Sequence, residues 1–320
     1  MTRIPDEADA PTRALLEIIN EAAPPPLHTM SAEDARAEFA QRRVRSDLDS
    51  IDLARVEDAQ IRGPGGAIAI RMYAPRPRAG AGLPMFVYYH GGGFVIGDLD
   101  SHDAVCRRIA LAADCLVIAV DYRLAPEHPY PAAVEDAVAA FTWLAGHAHA
   151  IGGDAKRIAV GGDSAGGNLA AVVAQEMRNT GGPKISLQVL IYPAVEPRDS
   201  RHSYKQFADV FPIDRPTIDW FYSQYYTDPS RTSEPWAAPG LVEDLSGLAP
   251  ALVLTAGLDP LCDEGAAYAE RLKAAGVDAT HHRDPGTIHG YMGMGKFLPH
   301  CEQAIARIGA VLKFTFSDDA

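Results

Sequence analysis

The chain has 320 residues, of which 47% are hydrophobic and 22% charged, the balance of a soluble globular protein with room for one large core. A formal net charge of −13 excludes a nucleic-acid partner, because phosphates would be repelled, and argues equally against an anionic membrane surface. No apolar run approaches the roughly 18 residues a membrane span requires, and residues 1–10 lack the apolar segment of a secretory signal, so a cytoplasmic protein is expected.

Two helices are predicted first, over 12–22 and 31–45, separated by Pro24-Pro25-Pro26. Ser31 followed by Glu33 and Asp34 reads as an N-cap with acidic residues in the first turn. Strands over 56–61 and 67–73 flank the turn Gly63-Pro64-Gly65-Gly66. Strands and helices then alternate: strand 85–89, helix 103–113, strand 116–120, helix 132–144, strand 157–160, helix 168–178, strand 187–192, strand 251–256, helix 266–275, strand 278–282 and helix 302–314. Apolar strands alternating with helices imply an α/β fold: a mostly parallel sheet of about eight strands covered on both faces, with the opening hairpin as antiparallel edge strands. The stretch 196–236 breaks this rhythm. It carries no strand, and Tyr204, Phe207, Phe211, Trp220, Phe221, Tyr222, Tyr225 and Tyr226 crowd it. It follows a sheet strand's C-terminal end, where open α/β sheets bind ligands, so it is expected to cover a site.

The chemistry concentrates at Gly162-Asp163-Ser164-Ala165-Gly166, where a short β-run meets an apolar helix. That is the nucleophile-elbow pattern: a serine on a sharp strand-to-helix turn, with a helix N-terminus behind it. A serine hydroxyl needs a base, and the base needs a carboxylate to orient it. Asp259 lies just past strand 251–256, on the same sheet edge as Ser164. Asp263 and Glu264 read as first-turn residues of the next helix, and Asp284 as a turn residue. Four histidines follow Asp259. His281 and His282 fall in a strand and His300 near a helix start, whereas His289 sits in the glycine-bounded loop 285–290, which can bring an imidazole to the serine. Ser164, Asp259 and His289 are therefore the candidate triad.

His90-Gly91-Gly92-Gly93-Phe94 follows strand 85–89. A glycine run leaves amides unshielded, so Gly91, Gly92 and Gly93, with the amide of Ala165, are the candidate oxyanion donors. The loop lacks the ending of a P-loop and the GxGxxG spacing, which speaks against phosphate binding. His90 reads as a loop-shaping hydrogen bonder. Phe94, Phe211 and Ile288 are expected to line the substrate pocket. The charges of Asp121-Tyr122-Arg123-Leu124-Ala125-Pro126-Glu127 read as ion pairs that fix a loop. Neither His147/His149 nor His281/His282 has the company of a metal site. Cys106, Cys115, Cys262 and Cys301 form no CxxC pair and are expected as free buried thiols, as in a reducing compartment.

These blocks and their order resemble the bacterial hormone-sensitive-lipase-like family of α/β-hydrolase esterases. His90-Gly91-Gly92-Gly93, Asp121 to Glu127, Gly162 to Gly167, Asp259-Pro260-Leu261 with Asp263-Glu264-Gly265, and His289-Gly290 carry the likeness. The resemblance implies a serine carboxylesterase that hydrolyses short- to medium-chain acyl esters, with no cofactor and no metal, and it implies homodimers in many members. It also implies a cap made of residues 1–50 and 196–236 on a catalytic core of 51–195 and 237–320. The rivals are a non-catalytic small-molecule receptor on the same fold, which would lack the histidine, and an amidase or peptidase with the same triad. The chain departs from the family pattern at Asp284 and Tyr291, where an aromatic and a Phe are common. Both positions flank the histidine loop and bear on pocket polarity.

Overall fold

A computed structural model of the chain describes residues 1–77, 82–197 and 201–317. The expected core and cap segments therefore lack 78–81, 198–200 and 318–320, which lie outside the described residues. Eight strands form one sheet in the order β1-β2-β4-β3-β5-β6-β7-β8. They are β1 (Arg55–Gly63), β2 (Gly66–Ala74), β3 (Leu83–Tyr89), β4 (Leu116–Asp121), β5 (Gly153–Asp163), β6 (Gln188–Ile191), β7 (Ala251–Ala256) and β8 (Ala279–Asp284). β1 pairs antiparallel with β2, and β2 with β4. Every later pairing is parallel.

All seven residues of β3 are buried, as are all six of β7, because helices cover both faces of the sheet. The half-exposed β1 sits at the edge. The covering helices are α3 (Asp103–Ala113), α4 (Ala132–Ile151), α5 (Ala165–Thr180), α8 (Cys262–Ala274) and α9 (His300–Thr315). They enclose two large apolar clusters.

The N-terminal helices form as expected, as α1 (Ala10–Ala22) and α2 (Ala32–Ser46). Asp9 caps the first by accepting Thr12 N–H at 2.9 Å, and Ser31 caps the second by accepting Asp34 N–H at 3.1 Å. The 196–236 stretch holds α6 (His202–Gln206), α7 (Arg215–Tyr225) and a 3-10 turn at Pro229–Ser233, with no strand among its described residues. The chain's start clasps this stretch. Arg3 N–H donates to Asp209 O at 3.0 Å, the Arg3 guanidinium bonds Asp209 Oδ1 at 2.8 Å and reaches Gln206 O, and Thr2 Oγ1 accepts Phe211 N–H at 2.7 Å. Farther along, Asp9 meets His300 at 2.9 Å and donates its N–H to Gly286 O at 3.2 Å, within the loop that carries His289.

Among the described residues no helix is long and apolar enough to cross a membrane. All four cysteines are free and buried. Arg123 bonds Asp136 at 2.9 Å and Glu135 at 3.0 Å, and Glu127 pairs with Arg36 at 2.6 Å, so these charges do fix their loop. Asp121 differs from expectation: it enters no ion pair among the described residues. Burial, with Asp98 and Asp100 nearby, pushes its pKa up to about 6.

Candidate active site

Ser164 stands between β5 and α5 with φ 56° and ψ −117°, a backbone conformation that a non-glycine residue adopts only when its surroundings impose it. The surroundings are visible in the flanking glycines. A Cβ on Gly162 would lie 2.3 Å from Tyr89 O, and one on Gly166 would lie 1.9 Å from the same atom. Only glycine lets α5 pack this close to β3 and hold the serine at the tip of the turn.

Three distant side chains meet there. His289 Nε2 lies 2.9 Å from Ser164 Oγ, and His289 Nδ1 lies 2.7 Å from Asp259 Oδ2. Asp259 is fully buried, and its other oxygen accepts Leu261 N–H at 2.8 Å, which aims Oδ2 at the imidazole. The competing groups are engaged elsewhere. Asp263 accepts Ser203 N–H at 2.9 Å, Glu264 accepts Val195 N–H at 2.6 Å, His281 meets Thr255 at 2.9 Å, and His282 meets Asp284 at 2.9 Å. An imidazole held between a carboxylate and a hydroxyl can take the hydroxyl proton and keep the resulting positive charge stabilised.

The glycine loop needs one correction. Gly91 N–H donates to Asp163 Oδ1 at 3.0 Å, so that amide is spent inside the protein and is not a free donor. The amides of Gly92, Gly93 and Ala165 have no acceptor among the described residues. Gly92 and Gly93 take φ of +123° and +59°, a region that side-chain-bearing residues rarely adopt, which glycine leaves open. His90 shapes the loop from below. Its Nδ1 lies 2.8 Å from Gly91 O, its carbonyl accepts the Tyr122 hydroxyl at 2.7 Å, and its ring stacks on Tyr122 at 4.3 Å. Burial, helped by His102, pushes the His90 pKa down to about 4, so the ring is neutral.

Asp163 was legible only as part of the elbow motif, yet it holds the glycine loop in place. Its Oδ1 accepts from Tyr88 Oη at 2.7 Å, from Gly91 N–H at 3.0 Å and from His102 Nε2 at 3.3 Å. Burial alone would raise the carboxyl's pKa. His102, Tyr88 and nearby Arg43 outweigh it and hold the group well below the ordinary carboxylate range. A depressed folded-state pKa adds stability above about pH 4, the unfolded carboxylate's range, and loses it as pH falls below that. Asp163→Asn is therefore expected to cost roughly 3 kcal/mol at neutral pH. The gap to wild type should narrow in urea melts below pH 4. A constant gap from pH 7 to pH 2 would show that Asp163 is not held ionised.

A cavity of about 320 Å³ opens over Ser164 and His289. Leu15, Ile18, Ile19 and Ala22 of α1, Phe39 of α2, and Phe211, Ile213, Ile218 and Phe221 of the 196–236 stretch line it. The first four recur at helical spacing within the predicted 12–22 helix, so that apolar stripe was readable but its destination was not. Phe94 and Phe211 line the cavity as expected. Ile288 does not: it is fully buried in the core cluster with Tyr192, Tyr291 and Leu258, turned away from its neighbour His289. Arg43 and His102 also line the cavity, and nothing in their local sequence marked them. Among the described residues no three His, Cys, Asp or Glu side chains cluster in a way that could hold a metal ion.

Comparison with known proteins places the chain in a family. The alpha/beta hydrolase fold family profile matches residues 86–293. The chain is 47% identical over 256 residues to the esterase LipI of Mycobacterium tuberculosis, covering 79% of this chain and 80% of that protein. It is 44% identical over 286 residues to the carboxylesterase NlhH of the same organism, covering 88% of each. Among solved structures, an alpha/beta hydrolase enzyme from the metagenome of Lake Arreo superposes with a TM-score of 0.95 at 40% identity, over 98% of this chain and 99% of that one. A hyperthermophilic esterase from Pyrobaculum calidifontis superposes with a TM-score of 0.90 at 40% identity, over 96% and 98%. With the sheet, the elbow and the glycine loop all in family order, the chain belongs to the bacterial hormone-sensitive-lipase-like esterases of the α/β-hydrolase superfamily and is a carboxylic ester hydrolase.

Proposed function

We propose that Ser164, His289 and Asp259 form the catalytic triad and that the enzyme cleaves short- to medium-chain acyl esters through an acyl-enzyme. The observation that carries this reading is the imidazole of His289 bridging Ser164 Oγ at 2.9 Å and Asp259 Oδ2 at 2.7 Å. His289 takes the Ser164 proton as Oγ attacks the ester carbonyl carbon. The carbonyl oxygen becomes an oxyanion that accepts from the amides of Gly92, Gly93 and Ala165. The tetrahedral centre collapses, the C–O bond to the alcohol breaks, and His289 Nε2–H protonates the departing alkoxide. Water then gives a proton to His289 and attacks the acyl carbon. Collapse releases the acid and returns the proton to Ser164.

Residues 1–50 and 196–236 act as the cap over this chemistry. Their apolar contribution to the cavity wall supports that role, since water excluded from the site strengthens the electrostatics within it. The cavity's 320 Å³ lies at the small end of the roughly 300–1,000 Å³ range of ligand sites, which favours the shorter acyl chains. The four free cysteines suit a reducing cytoplasm.

A p-nitrophenyl ester series from two to twelve acyl carbons tests the substrate class. The expected result is a kcat/KM maximum toward the short end and a steep fall at the long end. A maximum at twelve carbons would overturn it. On a matched anilide the rate should be far lower, and a faster anilide would make the enzyme an amidase. Covalent labelling by a fluorophosphonate is expected, and its absence would favour the non-catalytic receptor.

A further inference from the structure

Two residues that frame His289 meet out of sight of the cavity. Asp284 ends β8, and Tyr291 lies two residues past the histidine. The Tyr291 hydroxyl donates to Asp284 Oδ2 at 3.0 Å, and both side chains are buried. Neither lines the cavity, so these two departures from the family pattern do not tune pocket polarity as the sequence suggested.

Their surroundings give them a different task. The Asp284 carbonyl accepts Gly257 N–H at 2.7 Å, and the Thr287 carbonyl accepts Leu258 N–H at 2.9 Å. A Cβ on Gly257 would lie 2.2 Å from Pro285 O, so the two segments touch. The loop bearing Asp259 is thereby sewn to the loop bearing His289, with Asp284 at the seam. On the other side, the Tyr291 ring packs edge-on against Tyr192 at 5.2 Å, and Tyr192 packs against the His289 ring at 4.6 Å. The outer oxygen of Asp284 meets His282 Nε2 at 2.9 Å, which meets Arg307 of α9 at 3.1 Å. Burial, with Asp284 nearby, holds the Tyr291 phenol far above its ordinary pKa, so it remains a donor at any working pH.

We infer that the Asp284–Tyr291 hydrogen bond is a positioning device: it joins the two ends of the 285–290 loop into a ring and so sets where His289 stands between Ser164 and Asp259. The inference rests on the triad reading. A bond serving the core alone would move stability and leave the rate unchanged, so kinetics separates the two roles.

Tyr291→Phe removes the hydroxyl and keeps the ring against Tyr192. The expected result is a kcat about tenfold lower with KM unchanged, because a small displacement of a reacting group costs rate and not ground-state binding. The rate of fluorophosphonate labelling should fall in parallel. Asp284→Leu should lose at least as much, because it also releases His282, and Asp284→Asn, which keeps an acceptor for the hydroxyl, should recover most of it. Tyr291→Phe combined with Asp284→Leu should be no worse than Asp284→Leu alone, since the hydroxyl's acceptor is already gone. A Tyr291→Phe enzyme whose urea midpoint falls while kcat of the folded protein stays within twofold would overturn the inference, as would additive losses. If Ser164→Ala is dead while Tyr291→Phe is fully active, this inference fails alone. If Ser164→Ala stays active, the triad reading fails instead.

Discussion

Ser164→Ala is expected to lower kcat on a p-nitrophenyl ester about a million-fold, by analogy with triad deletions in serine hydrolases. The other serine that lines the cavity, Ser46, donates its hydroxyl to Gly293 O at 2.7 Å, all four cysteines are buried away from the cavity lining, and His289 already serves Ser164. His289→Ala should lose about as much, and the double variant should be no slower, because base and nucleophile act as a unit. Stability should barely change, since alanine occupies the same φ of 56° at the same cost. Ser164→Gly, equally inactive, should be the more stable of the two by about 1 kcal/mol, because glycine adopts that conformation without strain. Steady-state kinetics with thermal melts on the four variants decides the matter. A Ser164→Ala enzyme within a hundredfold of wild type would remove Ser164 from the mechanism.

Gly92→Ala is expected to cost about 10² to 10³ in kcat, the loss typical of one missing oxyanion donor. Gly92 takes φ +123°, where an L side chain is strained, and its Cβ would lie 2.1 Å from Ile96 O. Backbone cannot step aside as a flexible side chain does. The loop must move, and the amides of Gly92 and Gly93 leave their places. KM should change little, because these donors meet the oxygen only once it carries charge. Gly93→Ala should lose rate as well: its φ of +59° is one that L side chains rarely adopt, and its Cβ would lie 2.3 Å from Cγ of the buried Phe221 ring. Equal kcat in wild type and Gly92→Ala would show that the glycine loop does not hold the oxyanion.

Much of this site could be read from the chain alone, because its parts are local. Strand, turn and helix around Ser164 are consecutive in sequence, and the order of serine, acid and base follows from the winding of the sheet. What escaped was long-range. Which glycine amides stay free depends on Asp163, 72 residues away from Gly91. Whether residue 288 or 289 faces the cavity depends on one loop turning in three dimensions, and adjacent residues there diverge. Element ends were the other weak point. The helix predicted over 132–144 runs on to Ile151, through Gly146, because a Cβ at Gly146 would meet only open space while Ala145 and Ala148 are buried. Packing there outweighs the ~1 kcal/mol that a helical glycine costs. The helix predicted from 266 starts at Cys262, so that Asp263 and Glu264 fall in its first turn.

The clasp formed by Thr2 and Arg3 ties α1's end of the roof to the segment around Asp209, although neither residue lines the cavity. The proposed cap's two halves are thus fastened to each other at their outer margin. Trimming three residues from the front of the chain removes those bonds and leaves the residues around Ser164 in place, so a loss of rate in the trimmed enzyme would trace to the roof's hold and not to the chemistry beneath it.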